Sequence, residues 1–289
     1  MKLCSIPVVW LAFTSVLMGQ TVVRLEGLDI PSKLNQQLVE QRRGAAAEKA
    51  PAKNITSSKE IVVFAGDRVI PQFVDGASWK TSMYFVNLEN RSVSFQVLFF
   101  DDVGNDMLVP IVGQGRVRGL NITLQTAGSI QLETNGTAAD LTQGWALLSQ
   151  TTNDSVGGLA VFRQAVSGRQ AQEAVVPIVS QFDNHFVLLF DNTDFATGIA
   201  VANPTTSSVN IPVTIRNQAG QVIDQRTINL GPYSHTAFVL SDFWGSTAGR
   251  RGAIEFLTSG FGVAALGLRF NGAAFTSFHV LENVNWIGQ

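Results

Sequence analysis

The chain is nearly without cysteine: Cys4 is the only one, and it lies just ahead of the N-terminal apolar run. Residues 20–289 therefore form no intramolecular disulfide and hold no thiolate-ligated metal. Lysine is almost as scarce, for Lys80 is the single lysine between residues 61 and 289, where 12 basic residues face 17 acidic ones. A nucleic-acid surface needs clustered positive charge, and the composition of residues 61–289 argues against one. Long apolar runs are missing too. The longest, Ile6 to Met18, spans 13 residues, short of the roughly 20 a membrane helix requires. Charged residues make up only 15% of the chain.

Apolar residues are plentiful by contrast, at 45% with 19 phenylalanines, so the fold rests on an apolar core. At the start, Lys2, the 13-residue apolar run and Gly19 before Gln20 follow the plan of a secretory signal peptide over residues 1–19. The reading is a mature chain with no membrane span, located outside the cytoplasm as a secreted, periplasmic or cell-surface protein. Residues 20–60 read as a short amphipathic helix between Leu25 and Arg43, followed by a flexible linker rich in Ala, Lys and Ser.

Residues 75–104 and 191–220 repeat one pattern at an offset of 116 residues. Asp75 matches Asp191, Thr81 Thr197, Asn87 Asn203, Ser92 Ser208, Val93 Val209, Val97 Val213 and Gly104 Gly220. Seven identities in thirty compare with about two expected from average composition. Later segments match at shorter offsets: Gly144–Leu147 with Gly252–Glu255, and Gly158–Arg163 with Ala264–Arg269. The dominant period is two. Val93, Phe95, Val97 and Phe99 alternate with Ser94, Gln96 and Leu98, the signature of a half-buried strand. Asp101 and Asn217 each open a four-residue turn that closes on glycine, which predicts two equivalent hairpins. Pro212 cannot donate to a ladder, so its strand is expected at a sheet edge, or with the proline's missing N–H facing outward.

About seven short strands in each unit of roughly 110 residues fit an antiparallel sandwich. The chain is all-β on this reading, with one sandwich over residues 61–180 and a second over 181–289. The segments Pro71–Phe73 through Thr81, Val86–Asn87, Phe99–Asp101, Gly158–Phe162 and Ala265–Thr276 resemble the tandem immunoglobulin- or fibronectin-like β-sandwich repeats of bacterial secreted proteins. That resemblance implies a fold and an extracytoplasmic setting, and it carries no catalytic residue.

Chemistry-bearing residues are sparse. Asp101, Asp102 and Asp106 offer oxygen ligands of the kind calcium prefers, at a spacing unlike the twelve-residue calcium loop. His185, His235 and His279 stand in or beside apolar runs, without a ligand-like spacing or a nucleophile elbow. The acids Asp191, Asp194, Asp224, Asp242 and Glu255 are the candidates for a glycosidase pair. Phe243 and Trp244, in a loop with no counterpart in the first copy, and Trp286 near the C-terminus are the candidate ligand-binding aromatics. No cofactor or catalytic residue is expected. The reading is a non-catalytic structural, adhesive or protein-contact module acting on an extracellular protein or polysaccharide surface, with a carbohydrate-binding module and a secreted hydrolase as alternatives. Five N-x-S/T sequons, at Asn54, Asn90, Asn121, Asn135 and Asn153, are chance matches in that setting.

Overall fold

Alternation of small polar and large apolar side chains gives strands throughout. In the computed structural model, residues 67–150, 155–179, 182, 184–258 and 262–282 are described. The signal peptide expected over residues 1–19, the helix and linker expected over residues 20–60, and Asn54, Asn153 and Trp286 lie outside them. Ten strands come from the first half: β1 (Arg68–Asp75), β2 (Trp79–Asn87), β3 (Val93–Phe100), β4 (Val109–Ile111), β5 (Gly115–Val117), β6 (Gly119–Leu124), β7 (Ser129–Glu133), β8 (Thr142–Gln150), β9 (Val156–Gln164) and β10 (Gln172–Pro177). Eight follow: β11 (His185–Asp191), β12 (Ala196–Ala202), β13 (Val209–Asn217), β14 (Val222–Leu230), β15 (His235–Val239), β16 (Arg251–Leu257), β17 (Ala264–Asn271) and β18 (Ala274–Phe278). One helical turn, α1 (Leu240–Phe243), and a 3-10 turn lie between β15 and β16.

Four sheets of four antiparallel strands result. Their orders are β1-β8-β3-β6 and β10-β9-β2-β7 in the first half, then β11-β16-β13-β14 and β15-β12-β17-β18 in the second. Buried side chains of β11, β13, β14 and β16 interlock with those of β12, β15 and β17 in one cluster that includes Phe186, Ile211, Phe238, Ile254 and Phe256. Paired sheets thus share an apolar layer, in the manner of a sandwich.

The matched residues recur in matched local structure. Asn87 donates through Nδ2 to the Arg91 carbonyl and accepts the Glu89 N–H, and Asn203 does the same with Ser207 and Thr205. Asp101 accepts the N–H groups of Val103 and Asn105, while Asn217 accepts those of Ala219 and Gln221. Gly104 and Gly220 close these turns with φ of +86° and +76°, a region that disfavours residues with a Cβ. A Cβ on Gly144 would stand 2.1 Å from the carbonyl oxygen of Phe100, and one on Gly252 1.9 Å from that of Arg216. Phe100 and Arg216 are themselves 116 residues apart.

The structure departs from the expectations at four points. The 217–221 turn joins β13 directly to its partner β14, whereas the 101–105 turn leads into an excursion that carries the small β4–β5 hairpin before β6 pairs with β3. Asp75 and Asp191 are not equivalent, because Asp75 faces Thr142, two residues before Gly144, and Asp191 faces Arg251, one residue before Gly252. The β9 and β17 match slips by one as well, since Thr81 faces Phe162 but Thr197 faces Arg269. Pro212 lies on an inner strand, not at a sheet edge. It is exposed, and pairing of β13 with β16 begins only at Val213, so no ladder bond on that side calls for the proline's missing N–H, in line with the second alternative.

The halves meet along a buried seam. Val69, Phe100, Trp145 and Leu147 from the first cluster with Ala202 and Ala264 from the second, and Val179 and Tyr233 pack against them. Phe100 stacks between Trp145 and Tyr233, at centroid distances of 4.6 and 5.3 Å. His235 donates its backbone N–H to the Asp102 carbonyl, and its Nδ1 lies 2.9 Å from Asp102 Oδ1.

Candidate functional site

Among the described residues, exposed apolar side chains gather on the outward face of the β10-β9-β2-β7 sheet. Side chains alternate across a strand, so Lys80, Ser82, Tyr84 and Val86 of β2 point away from the core that Trp79, Thr81, Met83, Phe85 and Asn87 enter. Register places Leu159 between Tyr84 and Pro177, and Val161 between Ser82 and Val175. Tyr84 is 39% exposed, Leu159 37% and Val175 47%, and Leu88 just beyond β2 is 64% exposed. Leu88 also neighbours Gly157, whose missing side chain leaves it room. These residues form an apolar tract on one sheet face.

One end of the tract is cationic. Lys80 and Arg163 are directly opposed in the β2–β9 ladder on this face. Like charges so placed repel. Carboxylates from the flanking strands relieve the repulsion: Glu133 lies 2.8 Å from Lys80 Nζ, and Glu173 lies 3.7 Å from Arg163 Nε. The hydrogen bond from Lys80, aided by Ser82, holds the Glu133 carboxyl below its ordinary value against the opposing effect of burial.

Beyond this row opens a cleft of about 660 Å³, lined by Trp79, Lys80, Gly136, Arg163 and Ala165 among others. Its two charged lining residues are both cations. One wall is the β1–β2 turn, where Gly76 and Trp79 bridge around Ala77 and Ser78, both at positive φ (49° and 74°). A two-residue hairpin with both central φ positive is usually built from Asn and Gly, so this turn carries backbone strain.

Of the aromatic candidates, Phe243 and Trp244 lie among the described residues. Trp244 is 0% exposed and packs edge-on to Phe238 at 5.3 Å, so it presents no ring face to a ligand. Phe243 is 37% exposed, with one face stacked on Phe238 at 4.4 Å. The loop that holds them caps the core of the second half.

Asp191, Asp224, Glu255, His185, Asp101, Asp102 and His235 are held in structural bonds. Asp191 binds Arg251 at 2.9 Å and Asp224 accepts from Ser246 at 2.7 Å. Glu255 is buried between His185 at 3.1 Å and Arg216 at 3.1 Å. Burial raises the Asp191 pKa, but hydrogen bonds from Thr193 and Arg251 outweigh it and the net shift is downward; the Ser246 hydroxyl lowers that of Asp224. Asp101 spends its carboxylate on turn N–H groups, and Asp102 bridges His235 and Gln143. Ser234 donates to the Gly231 carbonyl, while its neighbour His235 turns to Asp102.

Sequence reasoning missed the apolar tract. Tyr84, Leu159 and Val175 fit the period-two pattern of half-buried strands, and only the outward phase of each strand distinguishes them from core residues. Lys80 as the body's single lysine was the one visible signal.

No protein-family model matches this chain, and no curated protein does. Among solved structures, vicilin from Capsicum annuum is similar over 73% of this chain and 75% of that one, with 9% identity and a TM-score of 0.22, too slight a likeness to bear on fold or function.

Proposed function

We propose that the chain is a non-catalytic protein-contact module of two tandem immunoglobulin-like β-sandwiches, working at a surface outside the cytoplasm. The observation that carries this reading is the exposed apolar tract of Tyr84, Leu159 and Val175 on one sheet face. Burying such side chains against a partner contributes about 25 cal/mol per Å² of apolar area, and leaving them in water forgoes it. The duplicated turns and the close approach of Gly144 and Gly252 to neighbouring carbonyls support two copies of one sandwich plan. The apolar start of the chain supports export.

A photo-crosslinking residue placed at Val175 or Leu159, in the cell that makes the protein, tests the face. Thr227, exposed on β14, is the control. Crosslinks to a protein at 175 and 159 but not at 227 are expected. Equal labelling at all three positions, or none at any, would sink the proposal.

A further inference from the structure

Resting on that contact reading, we infer that the face takes an extended acidic-apolar peptide segment, with an acidic side chain seated at Lys80 and Arg163. The charge pattern is the first ground. Residues 61–289 carry more acids than bases, yet the cleft is lined by two cations and no acid. These cations are cross-strand neighbours on one face, an arrangement that costs stability unless an anion lies near. The anions present leave capacity to spare. Lys80 has three donors and Glu133 occupies one side of it. The Arg163–Glu173 separation of 3.7 Å is longer than a hydrogen bond, and that pair is half exposed.

Geometry supplies the second ground. Outward residues on the sheet fall in rows two residues apart: Glu173, Arg163 and Lys80; then Val175, Val161, Ser82 and Glu133; then Pro177, Leu159, Tyr84 and Gln131. Successive rows are separated by roughly 6.6–6.8 Å, the distance between alternate side chains of any extended chain. A strand-like segment laid along β9 therefore meets Arg163, with Lys80 beside it, then Val161 and then Leu159, with Tyr84 beside it. The matching ligand pattern is acid-x-apolar-x-apolar, in either chain direction.

Display of random twelve-residue peptides on the full chain tests this. The selected pool should be enriched in Asp or Glu two and four residues from apolar side chains. Binding should weaken at least tenfold in a Lys80→Gln/Arg163→Gln variant and survive in Lys80→Arg/Arg163→Lys, which keeps both charges. Glu133→Gln, which removes the competing carboxylate, should tighten it several-fold. Circular dichroism melting establishes that each variant is folded. Peptides that depend on Tyr84 and Leu159, judged by a Tyr84→Ser/Leu159→Ser variant, but lack acids and ignore the cation variants would overturn this inference and leave the contact reading standing. Peptides indifferent to both variant sets would overturn both. Binding of polygalacturonate through Lys80 and Arg163, with no acidic peptide selected, would assign the site to acidic polysaccharide and overturn the inference.

Discussion

The indole N–H of Trp145 donates to the carbonyl oxygen of Tyr233 at 2.7 Å, tying a strand of the first half to a loop of the second. Tyr233 has φ of +54°, and its ring stacks on Phe100 beside Trp145. The bond is buried on the Trp145 side, where the ring is 0% exposed.

Trp145→Ala should therefore destabilise the whole body, by about 3–5 kcal/mol for loss of a buried tryptophan. Trp145→Phe, which keeps a ring and loses the donor, should cost less, with about 1–3 kcal/mol from the orphaned carbonyl. Calorimetry of the full chain should show one transition for both halves in the parent protein. Two resolved transitions would count against a shared seam.

Gly144→Ala and Gly252→Ala should be severe and alike, since each new Cβ would meet a backbone carbonyl at about 2 Å. Gly220→Ala is the control. Nothing lies within 4 Å of that position, and only its φ of +76° resists a side chain, at a cost of about 1–2 kcal/mol. Denaturant midpoints should rank the control well above the other two.

Asp101→Asn should change stability by less than about 1 kcal/mol, because the matched Asn217 does the same work with an amide oxygen. Asp101→Ala should cost about 1–2 kcal/mol, as loss of a capping side chain does. Millimolar calcium should leave the melting temperature of the parent unchanged; a rise abolished in Asp101→Asn would show that the turn binds metal.

The strained turn offers a gain. Ala77→Asn with Ser78→Gly places Asn-Gly where both φ values are positive and should raise stability by about 1 kcal/mol. Thermal melting measures it, and a loss would mean that the turn is not of the two-residue hairpin type.

Glu133, Asp191 and Asp224 all have pKa values below their ordinary 4.5, 3.8 and 3.8. A carboxyl depressed on folding contributes its stability in full above its unfolded value and loses it as pH falls through the folded one. Stability should thus decline below about pH 4.5 and not between pH 5 and 7 from these groups. Carboxyl-carbon NMR titration should find the Glu133 pKa raised in Lys80→Gln.

Much of the backbone plan was legible in the sequence because turns and close approaches constrain residue type tightly. Asn87 and Asn203, or Gly144 and Gly252, stand at places where few other side chains work. Exact register was harder to read. One-residue bulges such as that between Ile70 and Phe73 shift an alignment without changing its hydrophobic pattern. The place of Trp244 was not fixed by its loop setting, since burial is decided by what the loop folds back upon. The seam was hidden for another reason. Phe100, Trp145 and Tyr233 have Arg216, Ala253 and Ala127 as their counterparts, and Ala127 shares the positive φ of Tyr233. An aromatic residue that breaks the repeat marks contact between the copies, a signal present but unread.

Strand β1 also has a mechanical meaning. It is hydrogen-bonded along β8, is bridged at Val69 to Val179, and places Val69 in the cluster shared with Ala202 and Ala264. A pull applied through the residues that precede Arg68 is therefore taken up first by the strand that closes the seam. Stretching the chain from that end draws on both halves at once, so it should resist force as a single spring and release its length in one step.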